Sequence, residues 1–172
     1  TVRGRIPTVF VPHAWSHLAL PGPAKPIAIA WERSAARWTN AVVAVGAAEA
    51  SEGVRRHVRA PMFLVRNPVP PGWHFATTQD RSIAREALDL PQGAPIVTCV
   101  GRFSRQKGQD SLIDAWSVVS KELPDARLLL VGDGPTGDDL RNRAPATVIF
   151  TGATNDPRPF LAACDVAALP SR

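Results

Sequence analysis

Two cations, Arg102 and Lys107, stand five residues apart in the stretch VGRFSRQKGQD, bracketed by Gly101 and Gly108. An arginine presents a planar fork of donors matched to phosphate oxygens, and a lysine adds a mobile point charge. The stretch follows the apolar run PIVTCV and precedes a helical pattern, which puts both cations at the expected carboxyl end of a buried strand. Gly101 lets the backbone turn without a Cβ, and Gly108 opens a helix whose free N–H groups and dipole favour an anion. Together these residues describe a clamp for a diphosphate. Spacing alone is equally compatible with two solvated loop cations.

Two further features invite chemistry. His13 follows the apolar stretch TVFVP and could donate a hydrogen bond to a substrate at a strand end; a lone histidine there also serves as a structural or solvated group. GDGPTG, residues 132–137, matches the Gly-x-Gly-x-x-Gly dinucleotide fingerprint and would announce an NAD-dependent dehydrogenase. Pro135 removes an N–H from that turn, and the next apolar run ends in Thr151, Gly152 and Ala153 without an acid. The unit is also the second of its lobe, whereas the fingerprint belongs to the first. A tight turn explains it better. His17, His57 and His74 have no metal-ligand spacing with each other or with the cysteines, so no metal is expected.

The elements that must position these residues alternate along the chain. Strands are expected at residues 8–12, 41–46 and 62–66, with helices over 26–39 and 47–57 between them. NPVPPGWHFATTQD, residues 67–80, clusters prolines and a glycine and reads as an ordered linker. A helix capped by Thr77 or Thr78 should follow and end near Leu88. Strands at 96–100, 127–131, 147–150 and 166–169 then alternate with helices over 109–123, from 138, and over 157–163. Leu112, Trp116 and Val119 share one face of the first of these helices. Continuous apolar strands separated by amphipathic helices give an α/β fold of parallel sheets covered on both faces. The domain plan is 1–66, a linker at 67–78, and 79–172.

Composition bounds the rest. The 172 residues are 45% hydrophobic, enough for a packed core, and no 18-residue apolar run spans a membrane. TVRGRIPTVFVPHAW lacks the apolar core and cleavage site of a signal peptide and starts without Met, as though an upstream part were missing. Cys99 and Cys164 read as small buried hydrophobes with free thiols, which fits a reducing cytoplasm. The five tryptophans, Trp15, Trp31, Trp38, Trp73 and Trp116, are expected in the core or between lobes. Of the +5 net charge, the excess lies in residues 1–66, with nine Lys/Arg against three Glu. That suits a solvated face, a phosphorylated ligand or an anionic membrane surface; scattered arginines without interleaved aromatics argue against nucleic acid.

Taken in order, GRFSRQKGQDSLIDAW, LLLVGDGP and VIFTGATNDPRPFLAACDVAALPS resemble the GT-B-fold, nucleotide-sugar-dependent glycosyltransferases of the "glycosyl transferases group 1" type. ERSAARWTNAVVAVG and LVRNPVP resemble the end of that family's N-terminal, acceptor-side lobe and the start of its interdomain crossing. The resemblance implies two Rossmann-like lobes, both incomplete here, and transfer of a sugar from a nucleoside-diphosphate-sugar donor to a glycan or lipid-linked acceptor. It implies a retaining, metal-independent reaction with no cofactor beyond the donor. Carried over, Arg102, Lys107, Gly101 and Gly108 hold the donor diphosphate. Gly132, Gly134, Gly152 and Ala153 lie along the nucleotide, and His13 contacts the transferred sugar.

Two departures stand out. Gly46 replaces the serine usual after that strand, which would loosen the cap of the next helix. The chain stops at LPSR, before the family's acidic donor-sugar-binding segment, so a fragment inactive on its own, with exposed sheet edges, is expected. A non-catalytic nucleotide-binding lobe is the alternative from a different class. The transferase would be cytoplasmic, with peripheral contact at the inner membrane face.

Overall fold

The computed structural model describes residues 6–20, 22–69 and 76–172, which fall into two compact units, one within residues 1–73 and one within 74–172. Part of the expected linker, residues 70–75, lies outside the described residues, as do Trp73 and His74.

In the first unit, strands β1 (Val9–Phe10), β2 (Ala41–Ala44) and β3 (Met62–Leu64) form a parallel sheet in the order β1-β2-β3. Val42 pairs with Phe10 on one side and Met62 on the other. A short helix α1 (Ser16–Ala19), absent from the sequence expectation, follows β1; then come α2 (Ala24–Ala35), a 3-10 turn (Ala36–Trp38) and α3 (Ala47–Arg55). Helix α2 starts and ends earlier than expected, and the strands are shorter. Trp15, Val42 and Ala44 are buried, whereas Trp31 and Trp38 are 67% and 69% exposed and so lie outside the core of this unit. On α2, Trp31 faces out while its neighbour Glu32 turns inward. Buried beside it are His17 and Glu52. The His17 ring lies between the two carboxylates, with Nδ1 3.3 Å from Glu32 and Nε2 2.9 Å from Glu52.

The second unit opens with α4 (Thr78–Ala87). Its first turn is closed reciprocally, with Asp80 N–H donating to Thr77 Oγ1 and Thr77 N–H to the Asp80 carboxylate. Strands β4 (Ile96–Val100), β5 (Arg127–Val131), β6 (Val148–Gly152) and β7 (Val166–Ala167) run parallel in the order β6-β5-β4-β7. Helices α5 (Gln109–Glu122), α6 (Gly137–Arg143) and α7 (Arg158–Ala163) connect them.

Why the sheet is buried on both faces follows from the pleat, which sends alternate side chains to opposite sides. Leu128 and Leu130 join Cys99, Phe103, Ile113, Trp116 and Leu140 on one face, where Leu112 and Val119 also pack. Leu129 and Val131 join Ile96, Ala84, Leu90 and Ala163 on the other. Arg85, 4% exposed, ties that second face together: it donates to the Ala163 carbonyl (2.9 Å) and to Asp165 (2.8 Å), and Asp165 in turn accepts the Ile96 N–H. Both cysteines are free; Cys99 is buried and Cys164 half-buried, and burial pushes both thiols up.

Candidate functional site

The order of strand addition reverses at β4: β5 and β6 are added on one side of it, and β7 on the other. In an open parallel sheet the crevice at such a switch, beyond the carboxyl ends of the strands, is where ligands lie. The loops that meet there are 101–108 after β4 and 168–172 after β7.

The loop after β4 is built on main chain. Gly101 N–H donates to the Val131 carbonyl (2.9 Å), Phe103 N–H to the Asp133 carbonyl (2.9 Å), and Gly132 N–H to the Gly152 carbonyl (2.8 Å). Three neighbouring loops are thereby laced side by side. Gly132 and Gly134 have no Cβ because one would collide with backbone of the β4 loop, Gly101 for the first and Phe103 for the second. The room they leave on the Cβ side is thus filled by that loop. Phe103, fully buried between the two cations, packs edge-on against Phe150 and anchors the loop. Gln109, also buried, donates to the Arg102 carbonyl (3.1 Å).

Arg102 and Lys107 are exposed on this frame, Lys107 ending a 3-10 turn (Arg105–Lys107). Neither makes an ion pair among the described residues. Most arginines of the unit are committed elsewhere: Arg158 to Asp156, Arg143 to Asp114, Arg172 to Asp110, and Arg127 to three carbonyls. A free guanidinium and a free ammonium at the switch point can receive an anion. Arg105, which the sequence reading passed over, adds a third exposed cation in the same turn.

Gly108 caps α5 in the left-handed region, φ 69°, and Pro170 of the loop after β7 lies where its Cβ would be. No other residue type fits both demands. The first turn of α5 carries Asp110, whose carboxyl is held low by Arg172 foremost, with help from backbone amides of Ser111 and Asp110, so part of the helix's capacity for anions is already engaged. At the far loop, β6 runs two residues further than expected. A register shift leaves Thr151 unpaired and Gly152 at φ 79° with open space around it, and Ala153 is exposed beyond.

The structure therefore brings Gly101, Arg102, Lys107, Gly108, Gly132, Gly134, Gly152 and Ala153 to one edge of one sheet. His13 belongs to the first unit, at the carboxyl end of β1. It is exposed, and its ring has no hydrogen-bond partner among the described residues. Gly46 leaves the start of α3 without a side-chain cap, and Glu49, three residues on, instead accepts the N–H of Val45, ahead of the helix (2.7 Å).

Two parallel sheets, the second with a cationic switch point, define an α/β protein of Rossmann-like units. The sequence profile of the Glycosyl transferases group 1 family matches residues 94–172. That match takes in just under half of the chain, the whole of the second unit from the loop before β4 onward. The chain is 39% identical over 102 residues to a GDP-mannose-dependent monoacylated alpha-(1-6)-phosphatidylinositol monomannoside mannosyltransferase of Corynebacterium glutamicum, covering 56% of this chain and 27% of the relative. It is 40% identical over 95 residues to the lipopolysaccharide core biosynthesis glycosyltransferase LpsE of Rhizobium meliloti, covering 52% and 27%. The structure of Anabaena HepE in complex with UDP and glucose superposes with a TM-score of 0.78 at 25% identity, over 97% of this chain and 47% of that one. The chain spans under a third of the length of these curated relatives.

Proposed function

We propose that the protein is a glycosyltransferase that moves a sugar from a nucleoside-diphosphate sugar to an acceptor hydroxyl, with retention of configuration and without a metal. One observation carries the reading: Arg102 and Lys107 are exposed cations, without an ion pair among the described residues, at the switch point of the second sheet, inside the segment that matches the family. As the bond to the anomeric carbon breaks, negative charge grows on the departing diphosphate. Donors fixed in advance where that charge appears are worth roughly 3 kcal/mol each. A guanidinium fork and an ammonium meet the need that a divalent metal would otherwise meet.

Main chain at Gly152 and Ala153, open and exposed, is assigned to the nucleotide, and His13, by resemblance, to the transferred sugar. The lipid and lipopolysaccharide substrates in the relatives' names support a glycan or lipid-linked acceptor. No helix among the described residues is long and apolar enough to cross a membrane. Exposed Ile27, Trp31 and Trp38 within the basic segment support peripheral contact with an anionic, cytoplasmic membrane face, which co-sedimentation with phosphatidylglycerol vesicles at low and high salt would check.

The test uses the full-length protein, GDP-mannose and UDP-glucose among a panel of labelled donors, with and without chelator, and product anomers read by NMR. Arg102→Ala should lower turnover at least about tenfold with folding unchanged. Wild-type turnover in that variant would defeat the clamp. Nucleotide binding without transfer in the wild type would leave a non-catalytic binding lobe, and NAD-selective binding a dehydrogenase.

A further inference from the structure

His13 and Ala14 both have positive φ, 47° and 110°, in a chain where only two other described non-glycine residues do. Those two are helix ends. His57 and Asp89 each follow a helix, and the next residue's N–H reaches back to close the turn, Val58 to Gly53 and Leu90 to Arg85. The His13–Ala14 turn has no such origin, because it precedes a helix and follows a strand. Something outside the turn must hold it.

That hold comes from α3. Ala14 N–H donates to Glu49 Oε1 (2.7 Å), while Glu49 Oε2 accepts the Val45 N–H (2.7 Å) and the Glu49 carbonyl accepts the indole N–H of buried Trp15 (2.8 Å). One residue thus joins the turn after β1 to the turn after β2. On the other side, Ser16 N–H donates to Glu32 Oε1 (2.8 Å). The strained pair is fixed from both flanks while the His13 ring itself stays exposed.

We propose that Glu49 is a positioning residue for His13, setting the direction of the imidazole by clamping the amide of Ala14. The proposal rests on the reading that His13 contacts the transferred sugar. A carboxylate is suited to the task because it accepts two amide protons at once; a glutamine keeps one acceptor oxygen and sets a second donor against an N–H.

The experiment is done on the full-length protein. In the wild type, hydrogen exchange at the Ala14 amide should be slowed at least about tenfold relative to an unstructured chain, and free exchange would overturn the clamp. The His13 ring signal, assigned by its loss in His13→Ala, should move in Glu49→Ala and shift less in Glu49→Gln; an unmoved signal would overturn the proposal. With GDP-mannose or UDP-glucose as donor, Glu49→Ala should lower kcat at least about tenfold with KM for the donor within about twofold, and should add nothing in a His13→Ala background. Full additivity of the two losses would overturn a role acting through His13. Wild-type kcat in His13→Ala would instead defeat the sugar-contact reading, leaving exchange and ring signal to decide what Glu49 does.

Discussion

The carbonyl of Gly101 occupies the space that a side chain on Gly132 would need, and the two residues belong to adjacent loops at the carboxyl edge of the second sheet. Gly101 N–H also bonds to Val131, the residue before Gly132. The contact is backbone on backbone, so neither partner can rotate out of the way.

Gly132→Ala should therefore cost about 1–3 kcal/mol of stability, the usual penalty for forcing a methyl into a filled space, with strain from φ 142° added. Because the displaced residue precedes Arg102, nucleotide affinity should fall as well. Urea unfolding and UDP or GDP titration of the same variant would check both. Wild-type stability with wild-type affinity would mean that the loops are not laced as described.

Acid should loosen the first unit through Glu52. Its carboxyl is drawn down from 4.5 to about 2, by Arg56 most and by His17 next. A carboxyl lowered on folding binds its proton more readily in the unfolded chain, so its stabilisation is complete above the unfolded value and is lost as pH falls from 4.5 towards 2. Glu52→Gln should flatten that loss, read as amide exchange at Val42 and Ala44 between about pH 5 and pH 3. The second unit keeps its own acid sensitivity through Asp156, held at about 2 by Arg158. Equal acid loosening of the first unit in wild type and variant would contradict the assignment.

Arg85→Ala should destabilise the second unit by about 3 kcal/mol, the lower end for breaking a buried pair, since Asp165 is one-third exposed. Two carbonyls and one carboxylate lose a donor together. Arg85→Lys should recover little, because a single ammonium cannot span the three acceptors. Thermal unfolding of the three proteins would decide, and a Tm for Arg85→Ala equal to the wild type would rule the role out.

Much of the second unit was legible because its strands are uninterrupted apolar runs: ARLLLV and PIVTCV permit little else than buried parallel strands, and Arg102 and Lys107 followed from where one of them ends. The first unit was harder. Its strands are only two to four residues long, and SHLA is too short for a helical period, so α1 went unseen. Composition placed Trp31 and Trp38 in the core or between lobes; within this unit they lie on the surface, which residue type alone does not decide. Glu49, Glu32 and Gln109 carry no signal in spacing; their importance lies in which main-chain amide or carbonyl they meet, a long-range fact. Phe103 had a faint one, a large apolar residue between two cations in a loop.

Because peptide groups do most of the lacing at the carboxyl edge of the second sheet, an exposed rim side chain with no polar partner, such as Ala153, can be exchanged at small cost to the scaffold, whereas Asp133 cannot, since it accepts the Gly134 N–H (2.7 Å).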